Sequence, residues 1–320
     1  NSAPVATGPL DAPLAPILEE YGVVVKIRKA DLLIANHLDT FVIRETEGFY
    51  NLTENVFSGQ DGRLTWENRG VAAEERFARL SQYRFPKNSR EFVFENVWLK
   101  DAGHLEEPAN GDIKLALSPS RLALSQYPEF ISYVANNRVK GLGNDNLSFI
   151  GGFHLKGNEV LTDTKYGEQS TLIGSKEGDQ KFKVRSKNFV FDKKGNTAKA
   201  QNASVIVYHN NDSIVNSAVE FSFNYETEVL TAETKVEGYE NTPFRSSFFD
   251  IEVVGDRLTW DLGVDSLDMT IVAAKREIPL IIESKDYFSK SRYQSLAQIF
   301  GFHPIPRTNK LPINCVLIIN

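Results

Sequence analysis

The strongest constraint on this chain is an alternation of apolar and polar side chains at every second position. Phe182, Val184 and Ser186 alternate with Lys181, Lys183 and Arg185. Ala203, Val205 and Val207 follow the same rule, and Val219, Phe221, Phe223 and Tyr225 are set against Glu220, Ser222 and Asn224. A period of two puts one kind of side chain on each face, as a half-buried antiparallel strand requires. Turn residues separate the runs. Lys193-Lys194-Gly195-Asn196 and His209-Asn210-Asn211-Asp212 supply the positive-φ and Asx-turn chemistry of hairpins. The chain therefore reads as mainly β, built of stacked antiparallel or solenoid-like sheets. Alternating βα units are missing, which argues against a doubly wound α/β sheet.

Two short helices are expected on the sheets. Ala73, Phe77 and Leu80 stand at helical spacing behind Glu74 and Glu75, which predicts a helix over Val71 to Tyr83. Asp286 as N-cap, an apolar face of Phe288, Leu296, Ile299 and Phe300, and Gly301 as terminator predict a second over Asp286 to Phe300. Residues 1–20, with Pro4, Pro9, Pro13 and Pro16, read as an extended arm. Residues 21–110 read as a mixed β segment with the first helix. Residues 111–320 read as a β-rich module ending in the second helix and a tail strand. The first residue is Asn1 and the one Met is Met269, which points to a removed export signal or to a piece of a longer chain.

Composition narrows the function classes. A net charge of -6 argues against a sequence-nonspecific nucleic-acid binder, which needs a basic surface. No long apolar run predicts a transmembrane helix. A single cysteine, Cys315, excludes an internal disulfide and a Cys-rich zinc module. His37, His104, His154, His209 and His303 are dispersed, so no metal pair of short spacing is written in the chain. No Gly-x-Ser-x-Gly elbow appears. We expect no catalytic residues, no cofactor and no metal.

Weaker signals name candidate positions. Asp250 with Glu252, and Asp261, Asp265 and Asp268, are carboxylates at strand spacing; a glycosidase pair, a calcium site and a solvated strand face all fit. Trp66, Trp98 and Trp260 are candidates for sugar stacking, although each stands at an alternating apolar position that suits a core. Ser213 and Ser266 lie in Asp-Ser-aliphatic triplets, the form of an O-glycosylation acceptor in exported envelope proteins. Val316, Leu317, Ile318 and Ile319 form a strand-prone tail, expected to pair with this chain's own sheet or with a second chain. Asp61-Gly62-Arg63-Leu64-Thr65-Trp66-Glu67 echoes Gly255-Asp256-Arg257-Leu258-Thr259-Trp260-Asp261, which suggests a repeated building block.

Ordered segments carry a resemblance. They are Gly59 to Glu67, Tyr127-Pro128-Glu129-Phe130, Gly151 to Gly157, Thr242-Pro243-Phe244 followed by Trp260-Asp261, Ile282 to Phe288, and Phe302-His303-Pro304. Together they resemble a family of very large envelope-exported proteins of bacteroidete-type Gram-negative bacteria, a family without an assigned activity. The resemblance spans roughly residues 40–305 and implies a periplasmic or cell-surface location. It carries over no functional residue. The strand rhythm from Asn146 to Lys235 is also similar to stacked β-jellyroll modules of lipopolysaccharide-bridge proteins. The expected function is a non-catalytic envelope scaffold or protein-interaction module, with other envelope proteins or the rest of a longer chain as partners. Self-association through the tail is a further expectation. The alternatives are a carbohydrate-binding or carbohydrate-active β module and a lipid-carrying β groove.

Overall fold

The computed structural model describes residues 22–36, 38–117, 126–192, 194–238, 242–247, 250–264 and 266–271, and the backbone of 281–284 and 315–318. The chain divides into two compact units, Asn1–Gly141 with Phe149–Ser170, and Leu142–Ser148 with Thr171–Asn320. Every strand pair detailed below is antiparallel, and the described residues include one short 3-10 turn, Glu67–Arg69.

Unit 1 contains β1 (Val24–Ala35), β2 (Thr40–Asn51), β3 (Val56–Gln60), β4 (Arg63–Thr65), β5 (Arg76–Arg79), β6 (Gln82–Pro86) and β7 (Glu91–Asp101). It continues with β8 (Ala109–Ala116), β9 (Glu129–Ser132), β10 (Asn137–Val139), the last three residues of β11 (Leu147–Gly151), β12 (His154–Lys156) and β13 (Glu159–Leu161). Its sheet runs β13-β12-β9-β8-β7-β5-β4-β2-β3-β6, with β1 added along β2. β10 pairs with the end of β11, Val139 opposite Phe149. One face of this sheet is the core: Phe41, Ile43, Leu64, Phe94, Val97, Leu99, Ile113 and Phe130 are fully or almost fully buried. The sheet curls. Tyr83 and Phe85 of β6 touch Phe94 and Phe92 of β7 at centroid distances of 5.1 and 4.9 Å, although four strands separate β6 from β7 in the sheet order. Gly59 makes one such contact possible. It lies directly opposite Tyr83, and a Cβ built there would stand 2.4 Å from the ring.

Unit 2 contains β14 (Ser170–Lys176), β15 (Asp179–Ser186), β16 (Phe189–Asp192), β17 (Thr197–His209), β18 (Asp212–Asn224) and β19 (Val229–Glu233). β20 (Phe244–Ser246), β21 (Ile251–Val254), β22 (Arg257–Asp261), β23 (Ser266–Thr270), β24 (Ile281–Ser284) and β25 (Cys315–Ile318) complete it. The main path is β14-β15-β17-β18-β19-β22-β23-β25. The alternating runs of the sequence are the inner faces of β15, β17 and β18, with Phe182 packed 4.8 Å from Phe223. The long β17–β18 hairpin turns at Asn210, whose φ is 54°, as its turn chemistry requires.

Two expectations are corrected. The segment Val71–Tyr83 is not a helix. Arg76–Arg79 is strand β5, and Gln82 opens β6. The helical reading failed because polarity is inverted on β5: Arg76 faces the core, where it is buried against Asp101, while Phe77 faces outward. A solenoid is not formed either, because the described strands pair antiparallel and not as parallel coils. The expected helix Asp286–Phe300 and the arm 1–20 lie outside the described residues.

The sequence echo has a structural counterpart. In unit 1 the Thr46 hydroxyl donates to the carbonyls of Gln60 and Asp61, and Arg63 pairs with Glu45 at 3.2 Å. In unit 2 the Thr234 hydroxyl reaches the carbonyls of Gly255 and Asp256, and Arg257 pairs with Glu233. Each Arg-Leu-Thr-Trp strand lies between a strand that carries the Glu-Thr pair, mid-strand in β2 and at the end of β19, and the next strand of the sheet: β2-β4-β5 and β19-β22-β23.

Candidate functional site

The outward face of β2, β4, β5 and β7 is not a plain solvated surface. Arg44, Arg63 and Arg79 stand directly opposite one another across three strands, and Trp98 of β7 continues the row. Like charges in direct register repel. Each arginine is offset by carboxylates: Arg44 by Glu67 at 2.8 Å and Asp31 at 3.0 Å, Arg63 by Glu45, and Arg79 by Asp61 at 3.2 Å. The Arg44 hydrogen bond, with one from Thr65, holds the Glu67 carboxyl below its ordinary range. One step along the strands lies Phe77. The guanidinium of Arg63 and the ammonium of Lys100 stand 5.7 and 5.6 Å from its ring centroid.

Of these groups Arg63, Phe77, Arg79 and Lys100 line the floor of a cleft of about 940 Å³. Its lining carries five basic side chains (Lys29, Arg63, Arg79, Lys100 and Lys140) and six acidic ones (Glu45, Glu47, Asp61, Asp101, Glu106 and Glu107), so neither sign dominates. The far wall, Asp101 to Pro108, is strapped by β10. Glu106 N–H donates to Arg138 O, Lys140 N–H to His104 O, and the Lys140 ammonium to Ala102 O. Asp101 anchors this wall, accepting from Arg76 Nε at 2.9 Å, His104 Nδ1 at 3.0 Å and Gly103 N–H at 3.1 Å. Burial opposes its ionisation, but the His104 hydrogen bond and the Arg76 charge outweigh burial and hold its carboxyl below the ordinary range. Asp101 and His104 resemble half of a catalytic triad. The dyad lacks a bonded hydroxyl or thiol among the described residues, and Asp101 is saturated by the turn it supports.

A second histidine lies at the edge of the same sheet. His154 on β12 bonds Asp163 through Nδ1 and Glu129 through Nε2, both at 2.9 Å. Burial favours the neutral ring, yet the two carboxylates prevail and raise its pKa. The described residues contain no group of three His, Cys, Asp or Glu placed to hold a metal ion.

Sequence candidates fall as follows. Trp66 is fully buried, and its indole N–H has no partner among the described residues. Trp260 is buried, with its N–H donated to Val264 O at 3.2 Å. Trp98 alone of the three faces outward, half-buried beside Arg79 and Asn110. Ser213 on β18 is half-buried and donates its N–H to Ser247 Oγ at 2.9 Å. Ser266 opens β23 opposite Ile318. Val316, Leu317 and Ile318 lie in β25, which pairs with β23, while Ile319 lies outside the described residues. Glu252 pairs with Arg245 at 3.0 Å, Asp261 accepts the Gly263 N–H, and Asp265, His37 and His303 lie outside the described residues. Sequence reasoning places Phe77 on a helix face and Arg63 in the repeated motif, and assigns neither of them, nor Lys100, a binding role. Their signal is an apolar residue flanked by charge within a strand, legible only once the register is known. Compared with models of protein families, with curated proteins and with solved structures, the chain matches none.

Proposed function

We propose that this chain is a non-catalytic interaction module that docks an extended polypeptide segment of mixed charge in the cleft of unit 1. One observation carries the reading: Phe77 lies between two cations on the floor of a cleft whose rim offers both signs of charge. An aromatic ring at the base of a charged rim is the anchor arrangement of protein recognition, in which the ring contributes affinity and the charges select the partner. Glu47 and Glu107 on the rim make no ion pair among the described residues, so they are available to a ligand's cations. The resemblance to envelope-exported proteins supports a partner in the bacterial envelope or elsewhere in a longer chain.

Titration with short labelled peptides tests the reading. A peptide of alternating Glu and Lys is expected to bind, more weakly at high salt than at low salt. Phe77→Ala and Lys100→Glu are expected to abolish that binding without unfolding the unit. Equal binding of all-Lys, all-Glu and alternating peptides would show a nonspecific charged surface and sink the proposal.

A further inference from the structure

A second surface of unit 1 has the chemistry of a ligand platform. Tyr166 stands in the turn Thr164–Glu168 and is 67% exposed, high for a large aromatic ring. Gly167 N–H donates to Thr164 O, Glu168 N–H to Thr164 Oγ1, and the Glu168 carboxylate accepts Ala135 N–H at 2.8 Å. One face of the Tyr166 ring stacks on Tyr133, at a centroid distance of 5.9 Å and an interplanar angle of 29°. Tyr133 is itself pinned: its hydroxyl donates to Asp112 and accepts Asn96 N–H at 2.8 Å. The Lys165 ammonium, bonded to Asp112, stands 5.3 and 5.7 Å from the two ring centroids.

We infer that the Tyr133–Tyr166 pair with Lys165 is a carbohydrate subsite, in which the exposed ring of Tyr166 stacks on the apolar face of a pyranose ring. The rim supplies hydrogen-bonding capacity for sugar hydroxyls. Lys165 has three N–H donors and gives one to Asp112. The side chains of Asn96 and Asn110 are joined by one hydrogen bond of 3.1 Å, which leaves each amide a further group to offer. A peptide anchor would need a hollow to fill. Tyr166 offers instead a flat, exposed ring on a turn, which suits a flat ligand. A stacked nucleobase would bring phosphates to a chain of net charge -6. The platform does not use Phe77 or the charged rim, so this inference stands apart from the peptide-docking reading.

The experiment is titration of the full chain with soluble cello-, malto- and chito-oligosaccharides, followed by tyrosine ring resonances and calorimetry. At least one series is expected to shift the Tyr133 and Tyr166 signals. Tyr166→Phe should retain binding, whereas Tyr166→Ala should weaken it roughly tenfold or more, the scale found when a stacked ring is removed. Lys165→Met should weaken it less, and Phe77→Ala should leave it unchanged. The side chain of Tyr166 is largely outside the core, so the variants test recognition and not folding. The inference is overturned if no series shifts these signals, or if Tyr166→Ala binds as tightly as the parent.

Discussion

The two units share one piece of framework and differ in what they mount on it. Thr46 and Thr234 hold the turn before an Arg-Leu-Thr-Trp strand in the same way, and Arg63 and Arg257 each meet a glutamate. On the next strand, the position opposite the threonine of that motif is Phe77 in unit 1 and Asp268 in unit 2; the position opposite the arginine is Arg79 and Thr270. Unit 2 therefore lacks the aromatic floor and, with Glu233 on one side of Arg257 and Thr270 on the other, two of the three arginines of the ladder. The inward bonds that hold the turn are common to both, while the outward faces differ. An interaction site is expected where the outward face departs from ordinary polarity, which is unit 1.

Four experiments would break or sharpen this contrast. The largest effect concerns the paired tryptophans. Trp66→Ala and Trp260→Ala should each cost about 3–5 kcal/mol in the unit that carries them, measured by denaturant unfolding. Phe in place of each separates them. Trp66→Phe removes a buried N–H that has no partner among the described residues, whereas Trp260→Phe breaks the bond to Val264 and should destabilise more. Equal costs would mean that the two positions are not distinguished by their hydrogen bonding.

Next come the threonines. Thr46 also bonds the Tyr83 hydroxyl at 2.6 Å, a group buried deeply enough that its pKa is strongly raised. Thr46→Val should cost about 2–3 kcal/mol and Thr234→Val about 1–2 kcal/mol, because only the first also strands a buried hydroxyl. Thermal unfolding of the two variants checks the order.

The third test uses pH. The folded pKa of His154 is raised, so the folded state binds its proton more tightly than the unfolded state. That contribution is fully present below about pH 6.5, the unfolded value, and is lost as pH rises through the raised folded value. Asp163 acts in the opposite direction. Its pKa is lowered, chiefly by the hydrogen bond from His154, so its contribution is lost as pH falls through that lowered value. Unit 1 should thus weaken as pH rises above about 6.5, and His154→Gln should flatten that slope. A parent curve that rises across the window would refute the assignment.

The smallest effect is on stability and the most informative on recognition. Arg63→Ser removes an exposed pair and should change stability by less than about 0.5 kcal/mol. The same variant should lose affinity for the alternating peptide. Arg257→Ser in unit 2 should leave that affinity unchanged.

Much of the fold was legible because β15, β17 and β18 keep strict alternation and their turns use Gly195, Asn196 and Asn210. β5 was not, because a buried ion pair puts Arg76 where an apolar residue is expected and frees Phe77 to face solvent. The cleft was beyond the sequence for a different reason. Arg63, Phe77 and Lys100 come from three strands, and only their register brings them together. Tyr166 offered a signal that went unused: an aromatic residue between Lys165 and Gly167, in a turn with no apolar run to bury it.

Gly59 extends this argument to mutational tolerance. It has no side chain of its own to contribute, yet the ring of Tyr83 rests where its Cβ would be. Tyr83 meets Thr46, Thr46 fixes the carbonyls of Gln60 and Asp61, and Asp61 pairs with Arg79 in the cleft. A single methyl group at residue 59 would act on this series as a wedge acts on a lever, displacing a stiff ring first and a binding-site arginine last. The cleft thus has a handle inside the curled sheet, and a residue remote from any ligand can set how its charges are spaced.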